Sequence, residues 1–352
     1  MDWIRTFFAK TYKNDAKFQM VFILSNSHGS SARIIDLGGT ITHLSVPDKN
    51  GKFSDVILGF DTLSQYETDD SYFGSLVGRF AGRIASGQFT LNGQQHEVTT
   101  NNANNTLHGG KVGWNRAIWN AKIEGDRLVL SHVSQDGDQG FPGEVHVTAA
   151  IRLTDDNELQ INMTAVAKKK ATPINLTSHP YFNLAGKGSI ADHHVTIFAD
   201  YYNPGNPDVT PTGEIAPVSG TIFDFTSSRR LGDVLHNVSV DNVTPGYDHN
   251  FCVRGATGRR RIAEVNFAFR VHEPETGRLM QVFSNQPGLM FYTGNFISVE
   301  KGKGGQSYGM HGAFCMEPQG YPDAINQENF PDCVLYPGST YVNEMAFRFS
   351  VL

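Results

Sequence analysis

The chain has 352 residues, of which 39% are hydrophobic, 18% charged and 11% aromatic, a composition that can fill a large core and excludes disordered and fibrous classes. Its 29 Lys and Arg against 35 Asp and Glu leave a net charge of −6, which gives no basic footprint for a nucleic-acid backbone. No apolar run is long enough to span a bilayer, so neither nucleic acid nor membrane is an expected partner.

At the amino terminus Asp2, Arg5 and Lys10 stand among the aromatics, so the unbroken apolar stretch of an export signal is missing and a cytoplasmic location is expected. Trp3, Ile4, Phe7, Phe8 and Tyr12 can share one helical face. They predict an added helix in an extension over 1–20, packed on the domain rather than on a membrane surface, because Asp2 and Asp15 dilute its positive charge. From about Phe22 onward apolar residues recur every second position, the period of half-buried strands. Only 62–66 and 228–235 read as helices, both short. Val145, Val147, Ala149, Ile151 and Leu153, a turn at 155–157, then Leu159, Ile161, Met163, Ala165 and Ala167 form one antiparallel hairpin. The alternation returns in Ala263, Val265, Phe267, Phe269 and Val271, before a turn at 274–277, and again in Met345, Phe347, Phe349 and Val351. The 36 glycines and 15 prolines are scattered among turns rather than gathered in a linker, which argues for one continuous all-β domain over 21–352.

Several chemistries are disfavoured. Cys252, Cys315 and Cys333 are odd in number and far apart, so they read as free or buried thiols, not as a disulfide framework or redox motif. Thirteen histidines include no HExxH or HxH spacing, and the adjacent His193 and His194 would face opposite ways on a strand; no metal is expected. Ser178 lies beside His179 and in no GxSxG turn, which disfavours a serine nucleophile. Gly302, Gly304 and Gly305 lack the spacing of a phosphate loop. The basic runs 168–170 and 259–261 read as solvated loop tips.

Three polar rows stand out. Asn175, Thr177, His179, Tyr181 and Asn183 alternate with Ile174, Leu176, Phe182 and Leu184, so an extended segment would present one face made only of hydrogen-bonding groups. Such a face is either ordinary solvent-facing surface or a site for a small polyhydroxy ligand; short amides and rings in place of Lys and Glu favour the site. Pro180 holds His179 extended. Asn104, Thr106 and His108 form a second row before Gly109-Gly110, and Glu317, Gln319 and Tyr321 a third, with Pro318 holding Glu317 extended. Asp248 and the pair Arg79 and Arg83 complete the candidates.

These segments resemble the aldose 1-epimerase family. The resemblance rests on Gly78-Arg-Phe-Ala-Gly-Arg-Ile84, Asn104-Asn-Thr-Leu-His-Gly-Gly110, Gly140-Phe-Pro-Gly-Glu144, the 175–184 row, Gln286-Pro-Gly288 and Glu317-Pro-Gln-Gly-Tyr-Pro-Asp-Ala-Ile-Asn326, in the family's order from about Phe22 to the end. It implies a large antiparallel β-sandwich, a small aldose as substrate, no cofactor and no obligate protein partner. It further implies Glu317 as general base, His179 as general acid, and Arg83, His108, Asp248 and Gln286 as groups that hold the sugar. Gly82 departs from the Asn that often precedes the arginine of this motif, so one amide contact is missing or comes from elsewhere. The chemistry suits the residue types: anomer exchange needs the C1 hydroxyl to lose a proton while the ring oxygen gains one, expected here from an ionised Glu317 and an imidazolium His179. Other readings are a sugar-binding or regulatory homologue without catalysis, a phosphosugar 1-epimerase, which would need a clamp of Arg and Lys of which only Arg79 and Arg83 fall in these motifs, and a glycoside hydrolase using Asp248 and Glu317.

Overall fold

The computed structural model describes residues 8–14, 17–255 and 266–352. Three large antiparallel sheets hold most of the described strand residues. The longest has nine strands in the order Asn120–Glu124, Arg127–Ser134, Val145–Leu153, Glu158–Ala167, Thr340–Val351, Arg278–Ser284, Asn266–His272, His194–Ile197 and Arg229–Arg230. The alternating segments of the sequence thus lie side by side, with the carboxy-terminal strand filling the gap between two hairpins. Over Val145–Leu153 the inward residues are buried and the outward ones are not, as strict alternation requires, and in the carboxy-terminal strand Met345, Phe347 and Phe349 are buried while Val351 at its end is exposed.

Six strands, Tyr181–Phe182, Phe314–Gln319, Gly288–Tyr292, Asp248–Val253, Ala199–Asn203 and Ala216–Pro217, form a second sheet facing the first. Phe182 packs against Phe347 at 5.2 Å between ring centroids, and Phe269 meets Phe291 at 6.0 Å. This is the β-sandwich the sequence resemblance implies. Each aromatic so buried contributes about 1.5–3 kcal/mol of transfer free energy. A third sheet of five strands adds Phe22, Leu24, Ile34 and Leu44 to the same core. The one α-helix among the described residues, Leu63–Glu67, is short, and Gln65 Oε1 accepts the backbone N–H of Thr62 at 3.1 Å. None of the described helices is long and apolar enough to cross a membrane.

Three expectations are corrected. Phe8–Asn14 is not helical: it is a strand, paired antiparallel with Lys17–Ser25 from Phe8 opposite Ile23 to Asn14 opposite Lys17. A sheet edge offers a backbone partner for every residue of this β-prone stretch, which outweighs its helical spacing; Trp3, Ile4 and Phe7 lie outside the described residues. Segment 228–235 is a two-residue strand followed by the 3-10 turn Leu231–Asp233. Phe267 does not share the core face of Phe269, because the register shifts between them and leaves Phe267 half-buried against Phe198 and Phe283. Ala263, Val265 and the run 259–261 fall outside the described residues.

Candidate active site

Glu317 owes its position to strand alternation. On Phe314–Gln319, Phe314 and Met316 point into the sandwich core, so Cys315, Glu317 and Gln319 point the other way. Register then places Met290 opposite Glu317, Tyr292 opposite Cys315, and Asp248 opposite Tyr292. The outer face of this sheet is covered by loops, and between sheet and loops lies a cavity of about 440 Å³ lined by Glu317, His179, His108, Arg83 and Asp248, with Tyr72, Met290 and Gln319 among their neighbours.

His179 reaches the cavity from the 172–184 segment, every residue of which is buried. The segment is therefore not one polar face opposite one apolar face. It crosses the interior, pairing in turn with Val334–Leu335, Leu76–Val77 and Phe314–Gln319. Carbonyls of the segments packed around it need partners, and the polar row supplies them. Asn175 Nδ2 donates to the carbonyls of Ala81 and Gly320, Thr177 to that of Pro318, and Asn183 Nδ2 to those of Lys187, Gly188 and Gly312. Only His179 and Tyr181 of the five line the cavity. The His179 Nε2 lies 3.3 Å from Glu317 Oε1, and its Nδ1 3.5 Å from the Cys315 thiol.

His108 sits at the end of the second row with a left-handed φ of 51°. Its backbone N–H donates to the Gly82 carbonyl at 3.0 Å, while the Gly82 N–H donates to His108 Nδ1 at 3.2 Å. Gly109 allows the turn to close, since a Cβ there would lie 2.1 Å from the Gly78 carbonyl oxygen. With Nδ1 accepting, the neutral ring carries its proton on Nε2 and faces outward as a donor. His108, His179 and Glu317 have ligand atoms within 4.8 Å of one another, but this tautomer leaves His108 no lone pair for a metal ion on the cavity side. Asn104 is exposed and the Thr106 hydroxyl donates to the Thr99 carbonyl, so neither serves the site.

The two arginines part company. Arg83 stays at the cavity, its Nε donating to Asn102 at 3.2 Å and its Nη1 3.5 Å from the Asp248 carboxylate. Arg79 is buried elsewhere and donates to the carbonyls of Pro142, Gly143 and Gln135 and the hydroxyls of Thr172 and Ser134. The two arginines of these motifs therefore do not converge on one phosphate site. Gln286 is also corrected: its Nε2 donates to Asn285 Oδ1 and the Val342 carbonyl, and its Oε1 accepts from the Tyr341 hydroxyl. It is buried against the carboxy-terminal strand, and Met290, four positions on, enters the cavity instead.

Burial governs the charges. It pushes His179 down to about 4 and His108 well below the usual histidine range, while Glu317 is raised well above the ordinary carboxylate value by burial and then by the charge of Asp248. Asp248 is itself raised by burial, opposed by Arg83. The sugar-free cavity thus favours uncharged Glu317 and His179 over the ion pair expected from sequence. The two states differ by one proton moved across a 3.3 Å contact. Sequence reading missed Tyr72 and Met290. Tyr72 holds its place through a left-handed φ of 61° and packs edge-on against His108 at 4.7 Å, and no local motif announces it. Met290 sits in an apolar strand that alternation alone cannot assign to one side.

Comparison with known proteins agrees with this construction. A family model described as aldose 1-epimerase matches residues 20–348. The chain is 46% identical to the galactose mutarotase of Bos taurus over 90% of each chain, and 31% identical to the aldose 1-epimerase of Escherichia coli over 95% of this chain and 96% of the other. In three dimensions it is similar to an aldose epimerase homologue from C. elegans, with a TM-score of 0.87 and 28% identity over 98% of this chain and 99% of the other. An all-β sandwich, a cavity framed by a carboxylate and an imidazole, and a match over nearly the whole length have one common explanation: the chain belongs to the aldose 1-epimerase family.

Proposed function

We propose that this isomerase interconverts the α and β anomers of hexoses such as galactose and glucose, with Glu317 acting on the anomeric hydroxyl and His179 on the ring oxygen. The observation that carries the reading is the 3.3 Å approach of His179 Nε2 to Glu317 Oε1 inside an open cavity. Both reacting oxygens of a pyranose are bonded to the same carbon, so an acid and a base must stand this close to serve them together. In the charged proton arrangement Glu317 takes the C1 hydroxyl proton, His179 gives its Nε2 proton to the ring oxygen, and the bond from C1 to that oxygen breaks. The product is the open-chain aldehyde facing an uncharged pair, the arrangement that burial favours. Rotation about C1–C2 presents the other carbonyl face. The C5 hydroxyl then closes on it, its proton returning to His179 while Glu317 returns the other to O1, so protons balance over the cycle. Each acid or base contribution amounts to roughly 10²- to 10⁴-fold. Arg83, His108 and Asp248 hold the hydroxyls of the sugar.

Similarity to the bovine galactose mutarotase supports galactose as a substrate. A cytoplasmic site of action belongs to the same proposal, supported by Cys252, Cys315 and Cys333 being free thiols. Polarimetry on freshly dissolved α-galactose and α-glucose tests the reading: accelerated approach to the equilibrium rotation is expected, and a rate equal to the buffer blank would refute it.

A further inference from the structure

Gln319 is fully buried and lines the cavity, yet neither its Oε1 nor its Nε2 has a hydrogen-bond partner. A side-chain amide offers two donors and an acceptor, and burying it with none engaged is unfavourable by about 1–3 kcal/mol per group. Buried polar groups in native proteins are ordinarily paired, so an exception facing a cavity points to a ligand. The contrast with Asn175 is direct, since that amide donates to two carbonyls and accepts the Gly320 N–H at 2.7 Å.

Glycines flank Gln319 on two sides. Gly288 is its register partner on the neighbouring strand and extends no side chain over it. Gly82 stands on the other flank, where an added Cβ would lie 3.2 Å from Pro322 and 3.5 Å from Gln319 Nε2. We propose that Gln319 is a substrate-contacting residue that donates from Nε2 and accepts at Oε1 from sugar hydroxyls remote from C1, supplying the amide contact that Gly82 does not provide. It lies two positions from Glu317 on one strand face, about 6.5–7 Å along the strand, so it addresses the far side of a ring whose C1 is held at Glu317. An amide that both donates and accepts matches a pair of hydroxyls, and selects fully hydroxylated aldoses over deoxy sugars. This inference rests on the anomer-exchange reading above.

The test is Gln319→Leu, which keeps the volume and removes the polar atoms. In polarimetry with α-galactose, KM is expected to rise on the order of tenfold with kcat within about threefold, the pattern of lost uniform binding. The penalty that wild type shows for one of the 3-, 4- or 6-deoxy sugars should shrink in the variant. Without sugar, the variant's Tm should equal or exceed that of wild type, because the unpaired atoms are gone. An unchanged KM with unchanged deoxy discrimination, or a raised KM accompanied by a lower sugar-free Tm, overturns the proposal. If wild type itself fails to accelerate mutarotation, the anomer-exchange reading falls, and calorimetric titration of galactose into both proteins still decides whether Gln319 binds it: equal affinity rejects the contact.

Discussion

The hairpin of Val145–Leu153 and Glu158–Ala167 and the segment 172–184 are neighbours in sequence and use their polar residues in opposite ways. In the hairpin the ladder satisfies the backbone, so a polar side chain merely faces outward, as where the Thr148 and Thr164 hydroxyls meet at 2.7 Å on the exposed face. In 172–184 the ladders are two residues long, and side chains must complete the backbone's hydrogen bonding. Polar residues there are mostly structural, and the cavity-lining imidazole of His179 is held among them. A polar row therefore means a solvent face where backbone pairing is continuous, and a scaffold with an embedded site where it is not.

The sharpest way to break this distinction is to remove the two groups assigned to chemistry. Glu317→Gln and His179→Asn should each lower kcat by about 10²-fold or more in polarimetry while folding normally, because neither side chain holds up backbone. Loss of folded protein in either variant would place the residue with the scaffold. Arg79 and Arg83 supply the next contrast. Arg79→Met should destabilise by about 3 kcal/mol or more, since several carbonyls lose their donor, whereas Arg83→Met should cost less stability, because Asp248 can take up a proton in its absence, and raise KM. Denaturant titration beside polarimetry separates the two effects. Asn183→Ala should be destabilising by about 2–3 kcal/mol for its three lost carbonyl partners, with activity retained at temperatures where the variant is folded.

The pH profile sharpens the comparison further. With the proposed roles, turnover needs one proton on the Glu317 and His179 pair, so kcat/KM should be bell-shaped. It falls on the acid side as His179, held down to about 4, takes a second proton, and on the alkaline side as Glu317 loses the last one. Asp248 raises Glu317, so Asp248→Asn should move the alkaline limb to lower pH; a shift the other way would contradict the electrostatic arrangement. The smallest effect belongs to the hairpin, where Thr148→Ala should change stability by about 0.5 kcal/mol or less and activity not at all.

Much of this was legible from residue order. Period-two alternation identified the hairpin and the carboxy-terminal strand, and Pro180 and Pro318 marked His179 and Glu317 as extended. Arg79 and Arg83 look equivalent in sequence, as do Asn175 and His179, and only the surrounding carbonyls distinguish them. Gln286 shows the reverse error: it sits in a matching motif, yet its amide turns to the carboxy-terminal strand and leaves Met290 in the cavity. The helix expected in the first residues failed because spacing cannot register the open sheet edge that recruits Phe8–Asn14.

By itself the sequence determined the all-β class, because inward and outward alternation is a local property of each strand. It also determined which residue types are available for proton transfer. The tertiary structure alone decided that Glu317 and His179, 138 positions apart, share one cavity, that burial disfavours their charged forms, and that Gln319 is left unpaired beside them. Distance, desolvation and hydrogen-bond satisfaction arise between segments remote in the chain, so no local pattern can encode them.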